Sequence, residues 1–222
     1  LEKPLPNFPN GIPYGVAVGN HDTSPNGKPK LLEKGYEQSF GRKHFLGRSY
    51  YGGSMGDLNR NDNHYDLFSA GGKDFIVLYL AYNEQAKDKE IFDADYQKEV
   101  FDWADRILDQ YNDRKAIVVS HSILKKTAGS NSNFVPNEGK NDVQSNFTAQ
   151  GKEIYENLKE HANVFMMLCG HISGEGYRLE TFNGNTIKMY LADYQSRRDV
   201  TFEERNRNGG GGLMRVMKIN LT

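Results

Sequence analysis

Four apolar runs constrain the fold of this chain more than any other feature: "YGVAV" (14–18), "FIVLYL" (75–80), "AIVVS" (116–120) and "VFMMLC" (164–169). Each is near-continuous in apolar residues rather than alternating. A strand wetted on one face alternates polar with apolar, whereas one buried on both faces does not. The runs therefore predict strands at the centre of a covered sheet. "YRLETF" (177–182), "IKMYLA" (187–192) and "LMRVMKINL" (213–221) predict three more strands, the first two joined as a hairpin across "FNGNT" (182–186).

Two segments have helical period. In "DADYQKEVFDWADRILDQY", Tyr96, Val100, Trp103, Ile107 and Tyr111 share a face, with Asp93 or Asp95 as N-cap. In "TAQGKEIYENLKEHA", Ile154, Leu158 and Ala162 do the same, with Thr148 as cap. Each helix precedes a buried strand, so the fold class is α/β, mixed β-sheets layered with helices. At 222 residues the chain reads as a single domain, 1–222, behind a proline-rich lead at 1–13. Polar Gly/Asn/Ser stretches at 47–64, 125–146 and 195–212 read as long loops. The Gly209–Gly212 run is a turn rather than a phosphate cradle, because no helix of phosphate-loop spacing follows it.

Composition removes several classes. Acidic and basic residues number 29 and 28, which gives no sequence-wide field for nucleic acid. No apolar run approaches the roughly 18 residues of a membrane span. Cys169 is the single cysteine, so there is no internal disulfide framework, and it reads as buried strand packing.

Three of the predicted strands end in the same kind of residue. The first runs into "GNHD", with Asn20, His21 and Asp22; the run at 116–120 is followed by His121; the run at 164–169 is followed by Gly170 and His171. In open α/β sheets, ligands gather outside the carboxyl ends of strands. One such histidine is most simply a strand cap. Three polar donors at the same topological position point instead to a divalent ion of borderline character, Zn²⁺, Mn²⁺ or Fe²⁺. Gly19 and Gly170 leave room for close approach.

In order, "GNHD", "SH" after a buried strand and "GH-x-x-GE" after another resemble the calcineurin-like metallophosphoesterase family. The resemblance runs from about Tyr14 to the C-terminus, and "LADYQSR" with the glycine-rich stretch is similar to a bacterial, secreted branch. It implies a β-sandwich flanked by helices, and a secreted, periplasmic or cell-surface protein. It also implies that Asn20, His121 and His171 ligate one of two metal ions. His21 would face the phosphate and protonate the leaving oxygen, and Asp22 would hold its tautomer. A neighbouring carboxylate does favour the protonated imidazole that a general acid requires. Paired metals would activate water for in-line attack on a phosphate ester.

Two departures from the family pattern stand out. The family's Asp-x-His and Gly-Asp-x-x-Asp motifs precede "GNHD", and the thirteen residues before Tyr14 contain neither. The expectation is that this chain is the C-terminal part of the domain, its N-terminal strands missing and the N-terminal segment of the same protein being cleaved off, truncated or present as a separate polypeptide. "GDLNR" (56–60) imitates the second motif in the wrong place, and "DLNRND" fails as a calcium loop because Asp62 stands at the turn glycine. Ser173 replaces a family histidine, which implies a weaker first site, one suited to a harder ion such as Ca²⁺ or Mg²⁺.

Arg178 is a candidate phosphate donor, with an ordinary strand arginine as the alternative. His64 is placed in a long loop at the substrate entrance, the alternative being an exposed loop histidine. Tyr194 and Gln195 follow a strand end and border the cleft or pack there. Glu175 is a candidate to orient His171. His44 and His161 carry no assigned role. The expected function is hydrolysis of a phosphomonoester or phosphodiester. The alternatives are a mononuclear metal hydrolase and a non-catalytic secreted binding domain that retains the fold.

Overall fold

A computed structural model describes residues 3, 5–6, 11–22, 34–56, 60–83, 93–125, 144–195 and 214–220. Its elements run α1 (Lys34–Phe40), α2 (Arg42–Phe45), β1 (Tyr51–Ser54), β2 (His64–Ala70), β3 (Lys73–Leu80), α3 (Ala94–Gln110), β4 (Lys115–Ser120), β5 (Leu124–Lys125), β6 (Asn146–Phe147), α4 (Ala149–Leu158), β7 (Val164–Cys169), β8 (Gly174–Phe182) and β9 (Asn185–Asp193). Seven strands form one sheet in the order β1-β2-β3-β4-β7-β9-β8, and β5 pairs with β6. The β3–β4, β4–β7 and β7–β9 ladders are parallel, and the outer ladders are antiparallel. The architecture is mixed α/β, a large sheet flanked by helices.

The near-continuous runs at 75–80, 116–120 and 164–169 become the expected strands β3, β4 and β7, but burial on both faces is not fully met, since Val77, Val119 and Leu168 on one face are only partly buried. Ile76, Leu78, Val118 and Met167 are fully buried against the helices. The "FNGNT" hairpin forms, with Asn183 (φ 48°) and Gly184 (φ 81°) in the paired left-handed conformations of a type I′ turn. A second hairpin joins β2 to β3 through Gly71 (φ 59°) and Gly72 (φ 73°). The apolar patterning does not mark it, although "SAGGKD" carries a Gly-Gly turn signal.

α3 is capped by Asp93, whose Oδ1 accepts the Tyr96 amide at 2.9 Å. Its buried face is wider than the predicted stripe and adds Phe101, Ala104 and Leu108, while Ile107 and Tyr111 are only partly buried. α4 is capped by Thr148, whose Oγ1 accepts the Gly151 amide at 3.0 Å. Ile154 and Leu158 are buried as predicted, but Ala162 lies beyond the helix and is exposed.

Several expectations need correction. Residues 14–18 form no strand: β3, the strand they pass, already carries β2 on one edge and β4 on the other. The segment is held by the Tyr82 amide donating to Val18 O (3.3 Å) and the Tyr36 hydroxyl donating to Val16 O (3.1 Å). Residues 214–220 are not a strand, and Met214 and Val216 are exposed. Nor is 47–64 one solvated loop. It contains β1, and it ends in a buried polar knot of Asn61, Asp62, Asn63 and His64. Tyr51 donates to Asn61 Oδ1 (2.7 Å), Arg60 and Tyr96 donate to Asp62, and Asn63 Oδ1 accepts the Ala81 amide (2.9 Å). Polar side chains tolerate such burial only when their hydrogen bonds are met. Most of the expected loops at 125–146 and 195–212, including the Gly209–Gly212 turn, lie outside the described residues.

Candidate metal centre at the strand ends

β4 and β7 run parallel with Val119 opposite Leu168, so His121 arrives beside Gly170 just past the ladder. The Gly170 amide donates to the His121 carbonyl at 3.1 Å, which locks the two strand ends together. His171 has φ 68°, and the Ile172 amide donates across it to Gly170 O at 2.8 Å. That is the γ-turn form with positive φ, a strained conformation for a residue bearing a side chain. The His171 ring then sits with its centroid 4.6 Å from that of His121.

The third donor arrives from the opposite end of the sequence. Asn20 Oδ1 lies 2.9 Å from His121 Nε2. Gly19 makes this possible: a Cβ there would sit 3.0–3.1 Å from the His121 ring atoms. Tyr82, buried at the end of β3, closes the inner side with its ring 5.5 Å from His121 and 5.3 Å from His171.

Burial, then the neighbouring His171, lowers the His121 pKa to about 4; Asp22 and Asp193 oppose the shift, and His21 adds to it. His121 is therefore neutral at pH 7, the state in which an imidazole offers a lone pair. The 2.9 Å contact is satisfied without metal by a hydrogen bond from Nε2 to Oδ1. Two donors each about 2.1 Å from a shared ion would stand about 3.0 Å apart at an octahedral ion and about 3.4 Å apart at a tetrahedral one, so a tetrahedral ion would need the pair to open slightly. Among the described residues no group of three or more His, Cys, Asp and Glu is disposed to hold a metal. The strand-end set is two imidazoles and an amide oxygen.

His21 is exposed on a turn in which the Asp22 amide donates to Gly19 O (3.1 Å) and Asp22 Oδ2 accepts the Gly19 amide (2.9 Å). Asp22 thus closes the turn that presents His21, and the expected Asp22–His21 hydrogen bond is not found among the described residues. Ser173 Oγ accepts from Gln195 Nε2 at 3.4 Å, and Glu175 accepts from Tyr194 and Arg215.

The two substrate-binding candidates lie elsewhere. His64 lines no entrance; it is the first residue of β2, fully buried and stacked on Tyr79 with centroids 4.3 Å apart. Its Nδ1 donates to Asn61 O at 2.8 Å, and burial lowers its pKa to about 4. The hairpin partner Tyr79 covers it, which a loop reading of "NDNHYD" could not anticipate. Arg178 is held by Glu180, by Ser145 O (3.0 Å) and over the Phe147 ring (4.4 Å). It stands four residues along β8 from Gly174, about 13 Å from the strand end. Sequence reasoning missed Tyr82, whose ring lies against both imidazoles.

No protein-family model matches the chain. It is 27% identical over 219 residues, 95% of its length, to the uncharacterized protein YvnB of Bacillus subtilis strain 168, of which it spans 14%. Among solved structures it is similar to GAP50, the anchor in the inner membrane complex of Plasmodium, at 12% identity and a TM-score of 0.36, over 64% of this chain and 42% of that one.

Proposed function

We propose that the strand-end site hydrolyses phosphate esters with the help of a divalent metal ion. One observation carries the reading: Asn20 and His121, 101 positions apart, meet at 2.9 Å, with the His171 ring alongside. Asn20 Oδ1, His121 Nε2 and the His171 imidazole would hold the ion, Zn²⁺, Mn²⁺ or Fe²⁺ by donor chemistry. Bound there, the ion supplies a Lewis acid for the phosphoryl oxygens and lowers the pKa of water. The protein's own contribution begins with His121, kept neutral by burial so that its lone pair is available at pH 7. Tyr82 shields the inner side of the pair. His21, exposed on the Gly19–Asp22 turn, would give a proton to the leaving oxygen.

The test is metal content per chain after stripping and reloading, followed by turnover of p-nitrophenyl phosphate and bis(p-nitrophenyl) phosphate. His121→Ala and Asn20→Ala should weaken metal binding and abolish turnover together. His21→Gln should keep the metal and lose about 10²–10⁴-fold in turnover, the ordinary range of a general acid. A folded protein that takes up no ion on reloading would refute the reading.

A further inference from the structure

Two of the three donors at the strand-end site stand on a ladder. His121 and His171 leave β4 and β7 just past their parallel pairing, and the Gly170 amide ties one strand end to the other at 3.1 Å. Asn20 has no ladder behind it, because residues 14–18 form no strand. A turn presents it instead. The Asp22 amide donates to Gly19 O at 3.1 Å, closing a four-residue turn with Asn20 and His21 at its centre. The Asp22 side chain then reaches back, and its Oδ2 accepts the Gly19 amide at 2.9 Å. Two bonds therefore join Asp22 to Gly19, the residue that lies against the His121 ring. A Cβ on Gly19 would stand 3.0–3.1 Å from three atoms of that ring. One residue on, Asn20 Oδ1 meets Nε2 of the same ring at 2.9 Å.

Resting on the phosphoesterase reading, we propose that Asp22 is a positioning residue of the metal centre, acting through Gly19 to hold Asn20 at the His121 imidazole. The family resemblance would give Asp22 to His21. Its Oδ2 is engaged by the main chain at Gly19, and no Asp22–His21 hydrogen bond forms among the described residues. A carboxylate accepting from a backbone amide makes one of the stronger hydrogen bonds. What the turn requires at this point is an acceptor oxygen; the negative charge is a separate contribution that a nearby dication would feel with or without the turn. Losing a group that orients a metal ligand weakens metal binding about 10–100-fold.

Asp22→Asn and Asp22→Ala separate the two contributions. Both remove the charge, and only the asparagine keeps an oxygen that can accept the Gly19 amide. Titration calorimetry of the stripped protein with Zn²⁺ should show Asp22→Ala binding about tenfold or more weakly than Asp22→Asn at the same stoichiometry. In an Asn20→Ala background the two variants should bind alike, because no ligand remains for the turn to position, whereas a general loosening of the fold would persist there. Saturated with Zn²⁺, Asp22→Asn should turn over p-nitrophenyl phosphate close to the wild-type rate. Equal affinities in Asp22→Ala and Asp22→Asn, or a difference that survives Asn20→Ala, would overturn the proposal. So would loss of turnover in fully loaded Asp22→Asn, which would return the residue to His21. Each of those results leaves the phosphoesterase reading standing, whereas a folded wild-type protein that binds no Zn²⁺ removes both.

Discussion

Gly151 sits in the first turn of α4, where the helix backbone rests directly on residue 123. A Cβ there would stand 1.9 Å from the Ile123 carbonyl oxygen, 2.5 Å from its carbon and 2.6 Å from its Cα. Reaching even 3.0 Å from that oxygen requires a displacement of about 1.1 Å between two backbones, neither of which can rotate away. Forcing volume into such a contact costs about 1–3 kcal/mol, and a backbone neighbour places the cost at the upper end. The Ile123 carbonyl also accepts the Thr148 amide at 2.9 Å and the Thr148 hydroxyl at 3.3 Å, so separating the two segments loosens the cap, about another 1 kcal/mol. Alanine returns about 1 kcal/mol of helix propensity. Gly151→Ala should therefore lose about 2–3 kcal/mol in urea unfolding, a Tm lower by roughly 5–10 °C for a domain of this size. Ile123 lies two residues from His121, so the variant should also bind metal less tightly in its folded state. An unchanged or higher Tm would refute the reasoning, since it would mean that the helix can lift off without cost.

Other perturbations probe separate parts of the structure. Burial raises the Asp66 carboxyl from 3.8 to about 7, although Tyr79 hydrogen-bonds to it, and Oδ1 has no partner among the described residues. The folded state holds its proton more tightly than the unfolded chain, so this group's contribution to stability falls as pH rises from about 4 to about 7. Asp66→Asn should be more stable than wild type at pH 8, by on the order of 4 kcal/mol at most, and indistinguishable near pH 4; urea midpoints at both pH values check this. His64 acts oppositely: its pKa is lowered to about 4, so the stability it confers is complete above pH 6.5 and is lost as pH falls towards 4. With Asp66 removed, that acid-side loss should appear as a steeper fall in Tm between pH 6.5 and 4 than the wild type shows. Gly19→Ala sets a methyl 3.0–3.1 Å from the His121 ring, and calorimetry should find Zn²⁺ affinity lower by about tenfold at a nearly unchanged metal-free Tm. Thr148→Ala removes the α4 cap and should cost about 1 kcal/mol in chemical denaturation.

The centre of the sheet was legible because its strands are rich in apolar residues on both faces, although the face carrying Val77, Val119 and Leu168 is only partly buried. β3, β4 and β7 are unbroken apolar runs, and the caps Asp93 and Thr148 act within three residues of themselves. The ordered strand ends were legible for the same reason, since the register of parallel strands also aligns the residues just beyond them. The features that escaped depend on partners distant in sequence. The "YGVAV" run has the composition of a strand, but β3 has no free edge to offer it. "RNDNHYD" reads as solvated until Tyr36, Tyr51, Tyr79 and Tyr96 close over it, four aromatic residues drawn from separate regions of the chain. Arg178 carries the right chemistry for a phosphate, but Glu180, Ser145 and Phe147 claim it first.

The γ-turn at His171 puts the main chain at odds with the side chain it carries. At φ 68° that position would suit glycine better than any residue with a β-carbon. Pure folding stability would favour erasing the imidazole, so a His171→Gly chain should be sturdier and inert at once. On the proposed reading, this position is where the scaffold gives up some robustness for a ligand at its rim.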